Sequence, residues 1–311
     1  MASVEWTKIG LVQTPRPSLW WSQRYCILPT PVRHGDDLVR VYYGTTGADL
    51  VGRVTYVDLS TEEPGRVIAA PEHWVLDAGE WGTFDDCGVN PSCVIDWRGR
   101  RLLYYVGYQR TEKTPYLLFP GVAVAAGEQF VRLQRTPILD RTERELTVRT
   151  APAILPDGDL LRMWYVAATA WRTLPGGKRV PEYAIFSAQS RDGISWTSRE
   201  NPVLVPAGPT ETGFGRPWVV REHEGFRMWY SIRQQVAANA LGYVAIGTAY
   251  SPDGFEWQRQ DSQAGISRGD TGWDAEMICY AATIKVGPRW WMLYNGNGNG
   301  AVGFGLAVRD A

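Results

Sequence analysis

The stretch Met228-Trp229-Tyr230-Ser231 closes a hydrophobic strand on an aromatic doublet. The same ending returns as Val41-Tyr42-Tyr43, Leu103-Tyr104-Tyr105, Met163-Trp164-Tyr165 and Met292-Leu293-Tyr294. The final tyrosines of these five copies fall 62, 60, 65 and 64 residues apart, with no copy missing between them. A period of that length marks one structural unit repeated along the chain.

Each doublet follows an extended apolar stretch: Pro29-Thr30-Pro31-Val32, Asn90-Pro91-Ser92-Cys93-Val94, Ala151-Pro152-Ala153-Ile154, Arg216-Pro217-Trp218-Val219 and Tyr280-Ala281-Ala282-Thr283-Ile284. Polar or Gly-rich turns separate the two, which predicts hairpins. A third alternating stretch follows, as in Tyr183 to Ala188 and Val244 to Ala249. It leads through Ser190-Arg191-Asp192-Gly193-Ile194-Ser195-Trp196 and Ser251-Pro252-Asp253-Gly254-Phe255-Glu256-Trp257 to a fourth strand. Four short strands per repeat and no long helix-period segment predict an all-β, five-bladed β-propeller with four antiparallel strands per blade, a single domain over residues 1–311. The last repeat lacks its Trp-bearing fourth strand, and Glu5-Trp6-Thr7-Lys8 is similar to Glu256-Trp257-Gln258-Arg259. Residues 4–11 are therefore expected to complete the last blade and leave no open edge. Trp164, Trp229, Trp196 and Trp257 recur at fixed blade positions and are expected to fill the gaps between blades.

Composition narrows the function classes. Lys and Arg number 32 against 33 Asp and Glu, for a formal charge of −1, which gives no footprint for nucleic acid or acidic membranes. Disorder is excluded by 44% hydrophobic and 12% aromatic residues. No stretch reaches the ~18 apolar residues of a membrane span, and Met1 to Trp6 has no leader-like pattern, so a cytoplasmic protein is expected. Cys26, Cys87, Cys93 and Cys279 form no disulfide framework or zinc spacing with His34, His73 or His223 and read as core residues.

In a propeller the segments leading into the first strands meet at one mouth. Polar and charged residues there are Gln23-Arg24, Asp85-Asp86, Glu145 and Arg149, Glu211 and Arg216, and Asp274 and Glu276. Converging carboxylates and arginines suit acid/base chemistry or recognition of a polar ligand. The strongest local signals are Phe84-Asp85-Asp86, close to Asn90, and Gly272-Trp273-Asp274-Ala275-Glu276. Asp85, Asp86, Asp274 and Glu276 are the catalytic candidates; Arg24, Asn90, Arg149, Glu211, Arg216, Trp218 and Trp273 are the substrate-binding ones. The competing structural reading is that the acids cap turns and that Arg149 and Arg216 form inter-blade salt bridges. Trp20, Trp21, Trp81 and Trp171, with Trp218 and Trp273, break the repeat and are candidates for stacking on sugar rings. The segments Tyr108 to Gly121 and Ala168 to Pro181 both follow a doublet and are expected to form a rim or lid, or to reach a neighbouring subunit. Asn295-Gly296-Asn297-Gly298-Asn299-Gly300 reads as a tight turn, since no strand-to-helix context makes it a phosphate loop.

On Arg216-Pro217-Trp218-Val219, Met228-Trp229-Tyr230-Ser231, Ser251 to Trp257 and Trp291-Met292-Leu293-Tyr294-Asn295-Gly296-Asn297, nearly the whole chain resembles one group of enzymes. These are the five-bladed propellers of glycoside hydrolase families 43, 32 and 62, with the related mannoside phosphorylases of family 130. That resemblance implies a catalytic Asp on the first blade, a pKa-tuning Asp on the second, an acid Glu on the third and, in some relatives, calcium in the channel; no EF-hand-like calcium loop is present. The second-blade acid is similar to Asp86 or Asp85. The first blade departs from the pattern: Arg24 to Pro31 has no acid. On the third, Glu145 precedes Arg149 without a family motif around it. The Phe-Asp-Asp and Gly-Trp-Asp-Ala-Glu segments look like a cytoplasmic branch that accompanies sugar-biosynthesis enzymes.

Three functions follow as expectations. The first is a glycosidase-like carbohydrate-active enzyme on a small sugar or sugar-derived substrate, with Asp86 as base or pKa tuner, Glu276 as acid and Arg149 and Arg216 binding substrate. The second is a biosynthetic enzyme with altered chemistry, such as cyclisation, dehydration or lactone opening. The third is a non-catalytic sugar-binding propeller. No cofactor is called for by any of them.

Overall fold

A computed structural model describes residues 5–310. It contains five four-stranded antiparallel sheets. The first blade holds strands β2 (Arg24–His34), β3 (Leu38–Thr46), β4 (Gly52–Ser60) and β5 (Val67–Ala69). The second holds β6 (Val89–Trp97), β7 (Arg100–Gln109), β8 (Leu117–Ala126) and β9 (Gln129–Arg132). The third runs β10 (Arg149–Asp157), β11 (Leu160–Thr173), β12 (Arg179–Ser190) and β13 (Thr197–Ser198), and the fourth β14 (Glu211–Glu222), β15 (Gly225–Ala237), β16 (Ala240–Ser251) and β17 (Gln258–Arg259). The fifth combines β18 (Cys279–Val286), β19 (Arg289–Asn295) and β20 (Phe304–Asp310) with β1 (Thr7–Gln13) from the other end of the chain. The strands β2, β6, β10, β14 and β18 contact one another in ring order, so the sheets form a closed propeller.

The N-terminal strand does complete the last blade, pairing Thr7 with Val308 and Gln13 with Phe304, slightly later than residues 4–11; Val4 lies outside the described residues. Trp6 is buried, its indole N–H donates to the Ala264 carbonyl at 3.1 Å, and its ring meets Trp229 edge-on at 6.4 Å. Trp257 meets Trp164 in the same way at 6.0 Å.

The doublet explains the architecture. Strand side chains alternate in direction, so its two residues enter different cores. Tyr42, Tyr104, Trp164, Trp229 and Leu293 face the following blade; Tyr43, Tyr105, Tyr165, Tyr230 and Tyr294 face the preceding one. Five hydrophobic clusters result, each shared by two adjacent blades. The turns before Trp196 and Trp257 are superimposable in bonding. The Ser190 and Ser251 hydroxyls accept from Gly193 and Gly254 N–H at 2.8 Å, and each glycine carbonyl accepts from its own blade's Trp. The same carbonyls also accept from Tyr104 and Trp164 of the preceding blade. Gly254 has φ +80, and a Cβ there would stand 3.0 Å from Trp164, so glycine is required twice over.

A second repeat lies beneath the first. Tyr105, Tyr165 and Tyr294 each donate their hydroxyl to an acid 20 residues upstream: Asp85, Glu145 and Asp274. A cation closes each bracket, with Arg132 on Asp85 at 2.7 Å, Arg149 on Glu145 at 2.8 Å and Lys8 on Asp274 at 2.6 Å. In the fourth blade Tyr230 donates to Asp261, which Arg259 also holds. The first blade has Gln23 at the corresponding upstream position, and the Tyr43 hydroxyl is buried without a partner among the described residues.

Candidate functional site

Each inner strand is irregular where it bends round the axis, with register shifts between Ile27 and Thr30, Pro91 and Cys93, Thr150 and Ala153, Gly215 and Trp218, and Cys279 and Ala282. Bulges of this kind re-aim side chains at barrel and propeller rims. They frame a central funnel with a volume of about 860 Å³. Its aromatic wall consists of Tyr25, Tyr108, Tyr116, Tyr183, Tyr243 and Tyr280 with Phe214, and no tryptophan among the described residues lines it. Of the seven non-glycine residues with positive φ among the described residues, five (Tyr25, Leu28, Ala151, Tyr280 and Asn299) lie on this wall. Backbone strain of that sort persists only where surrounding structure holds it, and it concentrates at functional sites.

The tyrosines form a bonded cluster. The Tyr116 and Tyr183 hydroxyls are 2.6 Å apart, Tyr243 and Tyr280 meet edge-on at 5.1 Å, and the Arg233 guanidinium lies 3.9 Å from the Tyr183 ring centre. Burial pushes the Tyr243 phenol up to about 12, against the opposing pull of Arg233. Burial also raises Tyr183 and Tyr280 far above the usual phenol range, so at neutral pH all three are hydrogen-bond donors. The rim is built by the hairpin of β11 and β12 together with the loop 111–116, and it contributes Glu112, Lys113, Lys178 and Arg179.

Arg216 lies on the funnel lining, 1% exposed. Its guanidinium donates to the Pro29 carbonyl at 2.7 Å, the Thr30 hydroxyl at 2.9 Å, the Ser92 carbonyl at 2.9 Å and the Tyr280 carbonyl at 3.4 Å. One side chain of the fourth blade thus ties together the first, second and fifth. Burial lowers its pKa to about 9, far below an ordinary arginine. This guanidinium sits where the inner strands converge, so a calcium ion does not fit beside it. Among the described residues there is also no group of three or more His, Cys, Asp or Glu able to hold a metal.

The four catalytic candidates do not line the funnel. Asp85 is fully buried and accepts from Thr83, Tyr105 and Arg132. Asp274 is buried between Tyr294 and Lys8. Asp86 caps the turn at Gly82 N–H and accepts from Gln109, and Glu276 is exposed, its backbone held by Asn297. Asp85 and Asp274 are spent on the brackets, and neither reaches the funnel lining.

Most substrate-binding candidates also lie off the funnel lining, in contacts within and between blades. Arg149 is buried against Glu145 and Tyr165, a salt bridge within its own blade, and burial raises the Glu145 carboxyl. Glu211 pairs with Arg259 and accepts from Ala207 N–H. Trp218 lies under Arg216 at 4.8 Å and donates to the Thr283 carbonyl; Trp273 packs on Tyr294 at 5.0 Å. Arg24 is exposed at the start of β2. Only Arg216 and Asn90 of the eleven candidates line the funnel. Trp81, 99% exposed, borders a separate hollow of about 570 Å³ with Gln109, Arg135 and Arg141. The Asn-Gly run is a turn, and Asn295 is fully buried in it, linking the fifth blade to Leu28 N–H and the Cys26 carbonyl of the first. Cys26, Cys93 and Cys279 are buried and Cys87 half-buried, all as free thiols.

The funnel and the five-fold ring define the class: this is the fold of the five-bladed glycoside hydrolase propellers. A solved structure described as a glycoside hydrolase matches with a TM-score of 0.75 and 18% identity over 99% of this chain and 93% of that one. A second belongs to work on the family 130 mannoside phosphorylases and hydrolases of β-1,2 mannosidic linkages in Candida mannan. It matches with a TM-score of 0.72 and 13% identity over 99% of this chain and 94% of that one. At such identities the likeness is one of fold. No family profile matches the chain. In sequence it is 31% identical over 306 residues to the uncharacterized protein Rv1502 of Mycobacterium tuberculosis, covering 98% of this chain and 99% of that protein, and it belongs to the same family. No helix among the described residues is long and apolar enough to cross a membrane.

Proposed function

We propose that the chain is a carbohydrate-active propeller that takes a small sugar or sugar-derived molecule in its central funnel. The observation that carries this reading is the funnel itself, with six tyrosines on its wall and most of the strained backbone beside them. Tyrosine rings offer apolar faces to the C–H surface of a sugar, while their hydroxyls donate to its oxygens. The glycoside hydrolase fold supports the same ligand class.

The acid/base set favours altered chemistry or binding over ordinary glycoside hydrolysis. Hydrolysis uses two carboxyl groups, about 5–5.5 Å apart for retention or ~6.5–9.5 Å for inversion. Among the described residues the funnel lining holds one, Glu112 on the rim. Proton transfer there would fall to phenols such as Tyr243, aided by Arg233. The test is mass-spectrometric detection of products and bound ligands after incubating the protein with glycosides, oligosaccharides and nucleotide sugars. Asp86→Asn is expected to behave as wild type and Tyr243→Phe to lose ligand or turnover. Loss of turnover in a folded Asp86→Asn protein would overturn this assignment and restore the carboxylate mechanism.

A further inference from the structure

Four arginines are buried among the described residues: Arg53, Arg149, Arg216 and Arg233. Arg53 is paired with Asp49 and Asp77, and Arg149 with Glu145. Among the described residues Arg216 and Arg233 have no carboxylate partner, and of the four these two line the funnel. Arg233 donates to the Thr212 hydroxyl and to the Thr212 and Pro181 carbonyls, and Arg216 to the neutral acceptors described above. Neutral dipoles satisfy most of these N–H groups, the buried Arg216 Nε–H having no partner among the described residues, but they leave the charge uncompensated, and buried charge is otherwise paired.

The rim adds to the imbalance. Lys113, Lys178 and Arg179 line it, none in a salt bridge among the described residues, against the single carboxylate of Glu112. A concave site with one sign of charge concentrates ligands of the other, even in a protein whose formal charge is −1. The phenols of Tyr183 and Tyr243, being donors, reinforce the same preference.

We propose that the funnel's ligand is an anion: a sugar-derived molecule bearing a carboxylate or a phosphate. Its charge lies against Arg233 and within the field of Arg216, with Lys178 and Arg179 drawing it in. This rests on the reading of the funnel as a sugar site and adds the ligand's charge to it.

The experiment is calorimetric titration of the full chain with matched probes: uronic acids and their methyl esters, sugar phosphates and the neutral parent sugars, together with citrate and inorganic phosphate. At least one acidic sugar is expected to bind about tenfold or more tightly than its neutral counterpart. Binding should weaken between ~0.05 and ~0.5 M NaCl. Uronic acids and sugar phosphates separate the two sources of charge. Arg233→Gln is expected to lower affinity by about tenfold or more. The double variant Lys178→Ala/Arg179→Ala alters only exposed rim side chains, so it folds normally; it should lose affinity several-fold and flatten the salt dependence. Neutral sugars binding as well as acids, an unchanged double variant, or no binding by any probe would each overturn the anion proposal. Neutral-sugar binding would leave the sugar reading standing, whereas binding of citrate or phosphate without any sugar would sustain the anion site and sink the sugar reading.

Discussion

Replacing Asp85 and Asp86 separately distinguishes a bracket from an active site, although the two are neighbours in sequence. Asp85→Ala removes the acceptor shared by Tyr105, Thr83 and Arg132. Taking one partner from a buried ion pair costs about 3–5 kcal/mol. The Arg132 side chain is 23% exposed, so water relieves part of that, and ~2–4 kcal/mol is the expected loss. With an unfolding entropy of about 2.1 cal/mol/K per residue, a chain of this length loses ~3–6 °C in Tm. Asp86→Asn keeps an oxygen that can accept from Gly82 N–H, so its loss should stay below ~1 kcal/mol, or ~2 °C. Differential scanning calorimetry at neutral pH reads both. If Asp85→Ala melts with wild type yet abolishes ligand binding or turnover, the bracket reasoning is refuted.

Further outcomes follow from the same contacts. The doublet tyrosines Tyr43, Tyr105, Tyr230 and Tyr294 have pKa values raised above 10, first by burial and, in the last three, also by the nearby carboxylate. A raised folded pKa gives stability that is whole below the unfolded value near 10 and lost as pH rises past it. Absorbance at ~295 nm should therefore show the larger part of the tyrosinate appearing together with loss of circular dichroism above about pH 10; ionisation of nearly all the tyrosines in a protein still folded would contradict the burial. Trp6→Ala removes a buried indole from the closing strand and should cost about 3–5 kcal/mol by denaturant titration, with an unchanged midpoint counting against closure by β1. Gly254→Ala combines a positive φ with a close approach to Trp164 and should destabilise by ~1–3 kcal/mol, against no effect if the turn can relax.

The blade repeat is readable in the sequence because each doublet is constrained twice, its two residues filling two different inter-blade cores. The turns at Ser190 and Ser251 are readable for a similar reason, since glycine, serine and tryptophan each make a specific bond there. The site is harder. Asp85, Glu145 and Asp274 lie just before inner strands, which places them either at the mouth or in a bracket, and local sequence does not separate the two. Their constant 20-residue spacing from the doublet tyrosine is the signal that does, because a ligand site has no reason to recur in each blade while a structural bracket does. The funnel tyrosines escape notice because Tyr183 and Tyr243 follow hairpins of unequal length, 18 and 13 residues after their doublets, and so fall out of the repeat. The uncompensated charge of Arg216 and Arg233 is a property of three-dimensional neighbours and has no local signature.

The most direct test of the central claim is a crystal structure of the protein soaked with the acidic sugar that binds best by calorimetry. The account predicts density in the central funnel, with the sugar against Tyr183, Tyr243 and Tyr280 and the acid group at Arg233. Density at the Trp81 hollow beside Asp86, with the funnel holding only water, would contradict it.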